Sequence, residues 1–166
     1  MSDPASERVS IVDEANVRVG AATRAEMRAR HLVHRATYIL VFNGVGEIFV
    51  QKRTLTKDIF PGYYDVAAGG VVLADEDYDT GARRELAEEL GIHDVPLVEC
   101  FDFFYDDPRS RAWGRAYRCV WDGPIVLQAA EIASGAFQSV ERALAGDFHP
   151  MTPDGEYVLR RVLAGG

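Results

Sequence analysis

Three glutamates, Glu85, Glu88 and Glu89, stand at relative positions i, i+3 and i+4. A helix turns by about 100° per residue, so on a helix this spacing gathers all three carboxylates on one face. Like charges at that spacing repel and cost the helix stability. A divalent cation removes that cost, because Mg²⁺ is held through carboxylates, water and substrate phosphates. The stretch from Gly70 to Ile92 therefore reads as a metal site for phosphate chemistry, carried on a helix over Asp77–Leu90 that Gly91 closes. For Glu88 or Glu89 alone, a solvated acidic helix face is the ordinary reading. The complete spacing sets it aside.

Around that helix the pattern alternates between strand and helix signals. Ser10–Asp13 and Val17–Gly20 read as a short hairpin. Thr23 and Glu26 form a capping box that opens a helix ending near Arg30. His34–Phe42 and Glu47–Arg53 read as strands joined by the turn Asn43-Gly44-Val45-Gly46, with Ile48 and Val50 alternating against Phe49 and Gln51. Asp65–Val72 is extended and contains Gly69-Gly70. Pro96–Tyr105 and Arg111–Trp121 flank the turn 106–110, and Ala136–Gln138 is a last short strand. Ser139 caps a short helix, and Thr152-Pro153 opens the final one. Interspersed elements with frequent hairpins imply an α+β fold, an α/β/α sandwich around a mixed β-sheet.

The 166 residues are read as one domain, 1–166, with an N-terminal hairpin and helix over 9–31, a core over 34–150 and a C-terminal helix over 152–164. A net charge of −8 argues against a protein that grips nucleic acid by its phosphates. No apolar run approaches the ~20 residues that span a bilayer, and Met1-Ser2-Asp3-Pro4 does not open a signal peptide. Cys100 and Cys119 are too few for a disulfide framework and read as reduced thiols, so a cytoplasmic protein is expected.

Gly70, five residues, Glu76, seven residues, then Arg84-Glu85-Leu86-x-Glu88-Glu89-x-Gly91-Ile92 resembles, at every fixed position, the signature of the Nudix hydrolase family, the MutT-like enzymes. The resemblance covers roughly residues 34–150 and implies the Nudix fold. It implies that Glu85, Glu88 and Glu89 bind Mg²⁺, with Mn²⁺ as a possible substitute and the Gly70 carbonyl as a further ligand. Family members divide the work of ligand and general base differently, so Glu85 stands for either role. Arg84 is expected to orient a glutamate through a charge-assisted pair, and Glu76 to support the ligands or the helix start. Many relatives use one more glutamate beyond the signature; Glu131 resembles it, and reads equally as a surface residue. Arg53 and Lys57, before Pro61-Gly62, occupy the place where similar sequences meet substrate phosphates. Tyr63, Tyr64, Phe104, Tyr105 and Trp113 offer rings for stacking on a base, although ring-bearing strand residues usually pack in a core.

The expected reaction is hydrolysis of a phosphoanhydride in a nucleoside diphosphate linked to another moiety. Two rival readings share the fold. The segment from His34 through Arg53 to Pro61-Gly62 also resembles isopentenyl-diphosphate isomerases, and especially a bacterial Nudix branch close to them. The isomerase cysteine would fall at Gly69 and its metal-binding histidine at Val71, and neither residue can do that chemistry. His31 and His34 read as structural. A non-catalytic nucleotide sensor would tolerate loss of the glutamates, which are all present. The partner is thus a small molecule, with neither nucleic acid nor membrane. The N-terminal extension either covers the site or makes a homodimer contact.

Overall fold

The computed structural model of the protein describes residues 3–165. Its strands are β1 (Arg8–Val12), β2 (Arg18–Thr23), β3 (Val33–Phe42), β4 (Ile48–Arg53), β5 (Tyr64–Asp65), β6 (Val98–Asp106), β7 (Arg111–Val120) and β8 (Ile132–Gln138). Its helices are α1 (Arg24–Ala29), α2 (Tyr78–Leu90), α3 (Val140–Leu144) and α4 (Pro153–Leu163). The sheet is mixed: β3 runs parallel to β7 along its whole length, from Val33 opposite Arg111 to Phe42 opposite Val120, whereas the other strand pairs are antiparallel.

Both faces of the sheet are covered, which explains the composition of the central strands. On one face Ile39, Val41 and Phe49 pack against Tyr78, Ala82, Leu86 and Leu90 of α2. On the other, Leu40, Ile48 and Val50 pack against Ala143 of α3 and Val158 and Leu159 of α4. The alternation of Ile48 and Val50 against Phe49 and Gln51 is real in direction, but all four are buried because each side of β4 is core. β8 is longer than the expected Ala136–Gln138. Its first half, Ala133-Ser134-Gly135, carries almost no strand signal. Gly135 nevertheless lies directly under a ring: a Cβ there would stand 2.5 Å from Phe49 Cζ.

α2 starts where the Asp77 side chain accepts from Thr80 N at 2.8 Å, and ends at Gly91 in the left-handed region at φ 65°. Burying Leu86 and Leu90 contributes roughly 3–6 kcal/mol, against a few tenths of a kcal/mol for each like-charge pair on the helix. Core packing therefore holds the acidic face in place despite its repulsion.

The N-terminal elements are anchored to the segment that leads into α2. Ser10 N donates to the Val72 carbonyl and Ala74 N to the Arg8 carbonyl. Met27, the buried residue of α1, packs against Val9 and Val71. The Thr23 hydroxyl accepts from Glu26 N at 3.1 Å, as the capping box requires.

Candidate active site

The glutamates of α2 differ in environment because helical rotation sends them to different sides of one face. Leu86 points into the core, so Glu85 and Glu89 flank it toward the extended segment at Gly69-Gly70, while Glu88 turns outward. Glu89 is only 5% exposed and accepts from Gly69 N at 2.8 Å. Burial, and next the neighbouring Glu85, push its carboxyl up to about 8. Glu85 is pushed up to about 6 by burial, against the pull of Arg84 and with a further push from Glu88. The Glu88 side chain is 49% exposed and lies 3.3 Å from Arg84.

Arg84 organises the outer half of this cluster. It donates through Nε and Nη2 to the two oxygens of Glu76 at 3.0 and 2.6 Å, and through Nη1 to Glu85 at 3.1 Å. Glu76 is fixed in turn, accepting from Leu73 N at 2.9 Å. The expected support of the helix start by Glu76 thus corresponds to a two-pronged ion pair that sets the orientation of Arg84.

Gly69 and Gly70 work through their missing side chains. Gly69 has φ +126°, and a Cβ would lie 2.2 Å from the Thr37 carbonyl oxygen. At Gly70 a Cβ would lie 2.8 Å from Glu85 Oε1, so this glycine leaves room for the carboxylate against the backbone. The Gly70 carbonyl already accepts from Thr37 N at 2.9 Å and Thr37 Oγ1 at 3.3 Å. Gly70 thus contributes space for Glu85 and a carbonyl tied to β3 through Thr37. The same geometry bears on the isomerase reading. No side chain fits at Gly69, and Val71 is buried against Val9 and Met27.

One cleft of roughly 100 Å³ runs along Gly69, Gly70 and Val71. Lys57 lines it, and its ammonium pairs with Glu131. Glu131, on the segment before β8, is thereby brought to the cleft edge, close enough to Glu89 to add to the push on its carboxyl. Arg53 also lines the cleft, but Nε and Nη2 donate to the Ile59 and Phe60 carbonyls, with Nη2 at 2.7 Å from Ile59. Its guanidinium is largely used in shaping the loop 54–62, with Asp65 at 3.7 Å. At the far end of the cleft, burial raises the carboxyls of Asp65, to about 6, and Asp154, while the Tyr38 hydroxyl donates to Asp154 at 2.8 Å.

The rings considered for stacking separate clearly. Tyr64 packs on Phe148 and Phe104 on Trp113, both away from the cleft; Tyr105 lines it, and Tyr63 stands beside Phe60 at its mouth. His31 bonds the Asp107 carbonyl at 2.8 Å and His34 is buried, which matches the structural reading of both. Sequence reasoning missed Arg24 and Arg28 of α1, which line the cleft through ion pairs to Asp58. Their i, i+4 spacing was the available signal, but it shows only that they share a helix face.

The carboxylates of α2 beside the cleft fit a divalent cation. Glu89 is buried, the Glu85 side chain is 15% exposed, their charges push on each other, and among the described residues Glu89 makes no ion pair with a cation. Among the described residues no three His, Cys, Asp or Glu side chains are already gathered. Two carboxylates with water and phosphate are a usual complement for Mg²⁺, and Glu88 shares Arg84 with Glu85.

The description NUDIX domain matches residues 32–162. The chain belongs to the Nudix family. It is 46% identical over 159 residues to a Pseudomonas aeruginosa protein named as an uncharacterised Nudix hydrolase, spanning 95% of this chain and 94% of that one. It is 47% identical over 140 residues to Escherichia coli YfcD, named likewise, spanning 84% and 78%. Membership places this Nudix protein among hydrolases acting on phosphorus-containing anhydrides. In fold it is similar to Deinococcus radiodurans DR0079, with a TM-score of 0.80 at 24% identity over 93% of this chain and 98% of that one. It is also similar to the Nudix domain of Shewanella oneidensis NrtR, with a TM-score of 0.65 at 15% identity over 86% and 98%. None of the helices of the described residues is long and apolar enough to cross a membrane.

Proposed function

We propose that the protein is a Mg²⁺-dependent hydrolase that cleaves a phosphoanhydride bond in a nucleoside diphosphate linked to another moiety. The observation that carries this reading is the pair Glu85 and Glu89 on α2, set against the Gly69-Gly70 segment that lines the cleft, with like charges and, among the described residues, no cation paired to Glu89. Glu85, Glu89 and the nearby Glu88 would hold the ion. When bound, a divalent cation neutralises phosphate charge and lowers the pKa of water. The rest of the work belongs to the chain. Arg84, locked by Glu76, keeps Glu85 facing Gly70. Gly69 N fixes one oxygen of Glu89 and leaves the other for the cleft. Lys57, on its pair with Glu131, offers a positive charge to a phosphate oxygen. Either Glu85 or Glu131 would accept the proton of the attacking water.

The nucleotide part of the proposal draws on the NrtR domain, whose structure is a complex with ADP-ribose. Two free thiols, Cys100 and the buried Cys119, are in keeping with a reducing cytoplasm. The test is a product-resolved screen with Mg²⁺ or Mn²⁺ over ADP-ribose, nucleotide sugars, dinucleotides, nucleoside triphosphates and isopentenyl diphosphate. Metal-dependent cleavage of a nucleoside diphosphate derivative is the expected result. Isomerisation of isopentenyl diphosphate without any hydrolysis would overturn the reading.

A further inference from the structure

Arg24 and Arg28 lie outside the span of the family match, 32–162, yet they wall the same cleft as Gly69 and Gly70. They sit one helical turn apart on α1, and both donate through Nε to a single oxygen, Asp58 Oδ2, at 3.3 and 3.0 Å. Beyond that shared oxygen Arg28 reaches Ser110 Oγ at 3.2 Å, and Arg24 reaches Glu7 only at 3.6 Å. Two guanidiniums carry about ten N–H donors between them, so one carboxylate oxygen leaves most of that capacity unused.

The position of these groups is as telling as their chemistry. Arg24, Arg28, Lys57 and Asp58 line the inner cleft and also an adjoining outer cavity of about 500 Å³ beside Pro4 and Ala5. They form the neck between the two. Arg28 and Asp58 further border a third, mainly apolar cavity at Phe60 and Tyr63. Three cations, Arg24, Arg28 and Lys57, meet the counter-ions Asp58, Glu131 and, at 3.6 Å, Glu7, and most N–H donors of the two arginines remain without a carboxylate partner. Burial lowers Arg28, and the neighbouring Asp58 acts against that.

We propose that Arg24 and Arg28 form an anion site at the neck, which takes a phosphoryl group of the substrate in place of Asp58. Asp58 is the resident counter-ion of the two guanidiniums. An incoming phosphate offers several oxygens to two planar forks, where the carboxylate offers one, and guanidinium–phosphate pairs are favoured by that geometry. The N-terminal extension is on this account part of the substrate site. The identity of the anion as a phosphoryl group rests on the hydrolase reading above; the existence of the site does not.

Calorimetric titration of the full chain with inorganic pyrophosphate in metal-free buffer tests the site without turnover. Wild type is expected to bind, more weakly as NaCl rises. Arg24→Ala and Arg28→Ala should each weaken binding at least 10-fold, and Asp58→Asn should tighten it several-fold by removing the competing carboxylate. Asp58→Asn keeps both arginines, so it remains decisive if an arginine variant fails to fold. No binding by wild type, unchanged affinity in folded arginine variants, or weaker binding by Asp58→Asn would overturn the proposal. Pyrophosphate binding without metal-dependent hydrolysis of any substrate would leave this site standing and remove the hydrolase reading. The reverse result would remove only the site.

Discussion

The two charged regions of the cleft solve opposite electrostatic problems. At α2, Glu85 and Glu89 stand beside the cleft with like charge, and the repulsion is borne by the packing of Leu86 and Leu90 into the core. At the neck, Arg24 and Arg28 of α1 meet Asp58 of the loop 54–62, and opposite charges hold separate segments together. Burial pushes the Asp58 carboxyl up, but the two guanidiniums outweigh it and hold it well below the usual carboxylate range. Among the described residues the acidic cluster of α2 leaves Glu89 without a paired cation, whereas the neck pairs opposite charges with each other. A site of the first kind is fixed by one helix and its core. A site of the second kind exists only after distant segments have met.

The contrast can be broken first at α2. Glu76→Gln removes the charge that locks Arg84, leaving α2 and its core untouched. Turnover should fall about 10–100-fold, the usual effect of losing a group that orients metal ligands. The thermal midpoint should change little. Steady-state kinetics beside a melt would show it, and full activity in the variant would mean that Arg84 needs no such support.

A smaller effect is expected behind the neck. Burial, and secondarily Arg28, push His34 down to about 3 from its ordinary 6.5. The unfolded chain binds this proton near pH 6.5 and the folded chain does not until about pH 3. Unfolding therefore takes up a proton between those values, and the contribution of His34 to stability falls with pH through that window, by at most about 1.4 kcal/mol per pH unit. The raised carboxyls Asp65 and Glu89 act in the opposite sense, so the comparison must be with a variant. His34→Asn should lose less stability than wild type between pH 6.5 and 4.5 in denaturant titrations. Parallel curves would show that His34 is charged in the fold.

The same contrast explains what could be read from residues alone. Glu85, Glu88 and Glu89, the Asp77 cap and the Gly91 stop are all local to one helix, and so were legible as spacing. Their division into the buried Glu89, the mostly covered Glu85 and the exposed Glu88 is set by the core contact of Leu86, which spacing does not specify. The sequence neighbourhood of Arg53 points to the substrate; in the fold its donors turn to the Ile59 and Phe60 carbonyls of an irregular loop. The open backbone of Gly70 was legible, but the Thr37 side chain that meets its carbonyl comes from β3, over thirty residues away. Arg24 and Arg28 were read only as part of a capped helix, since their partner Asp58 lies 34 and 30 residues further on. β8 was cut short because Gly135 is selected by the ring above it rather than by strand preference.

The central claim is that the buried carboxylate pair on α2 is a seat for Mg²⁺, and the most direct measurement is thermal stability with and without the ion in wild type and Glu89→Gln. Gln keeps the shape of the side chain and an oxygen for Gly69 N, so the fold should survive. Mg²⁺ at about 100 times its dissociation constant should stabilise wild type by about 2.7 kcal/mol, a rise of several degrees, and should leave the variant almost unmoved. Equal stabilisation of both proteins by Mg²⁺ would contradict the account, because the ion would then be held without Glu89.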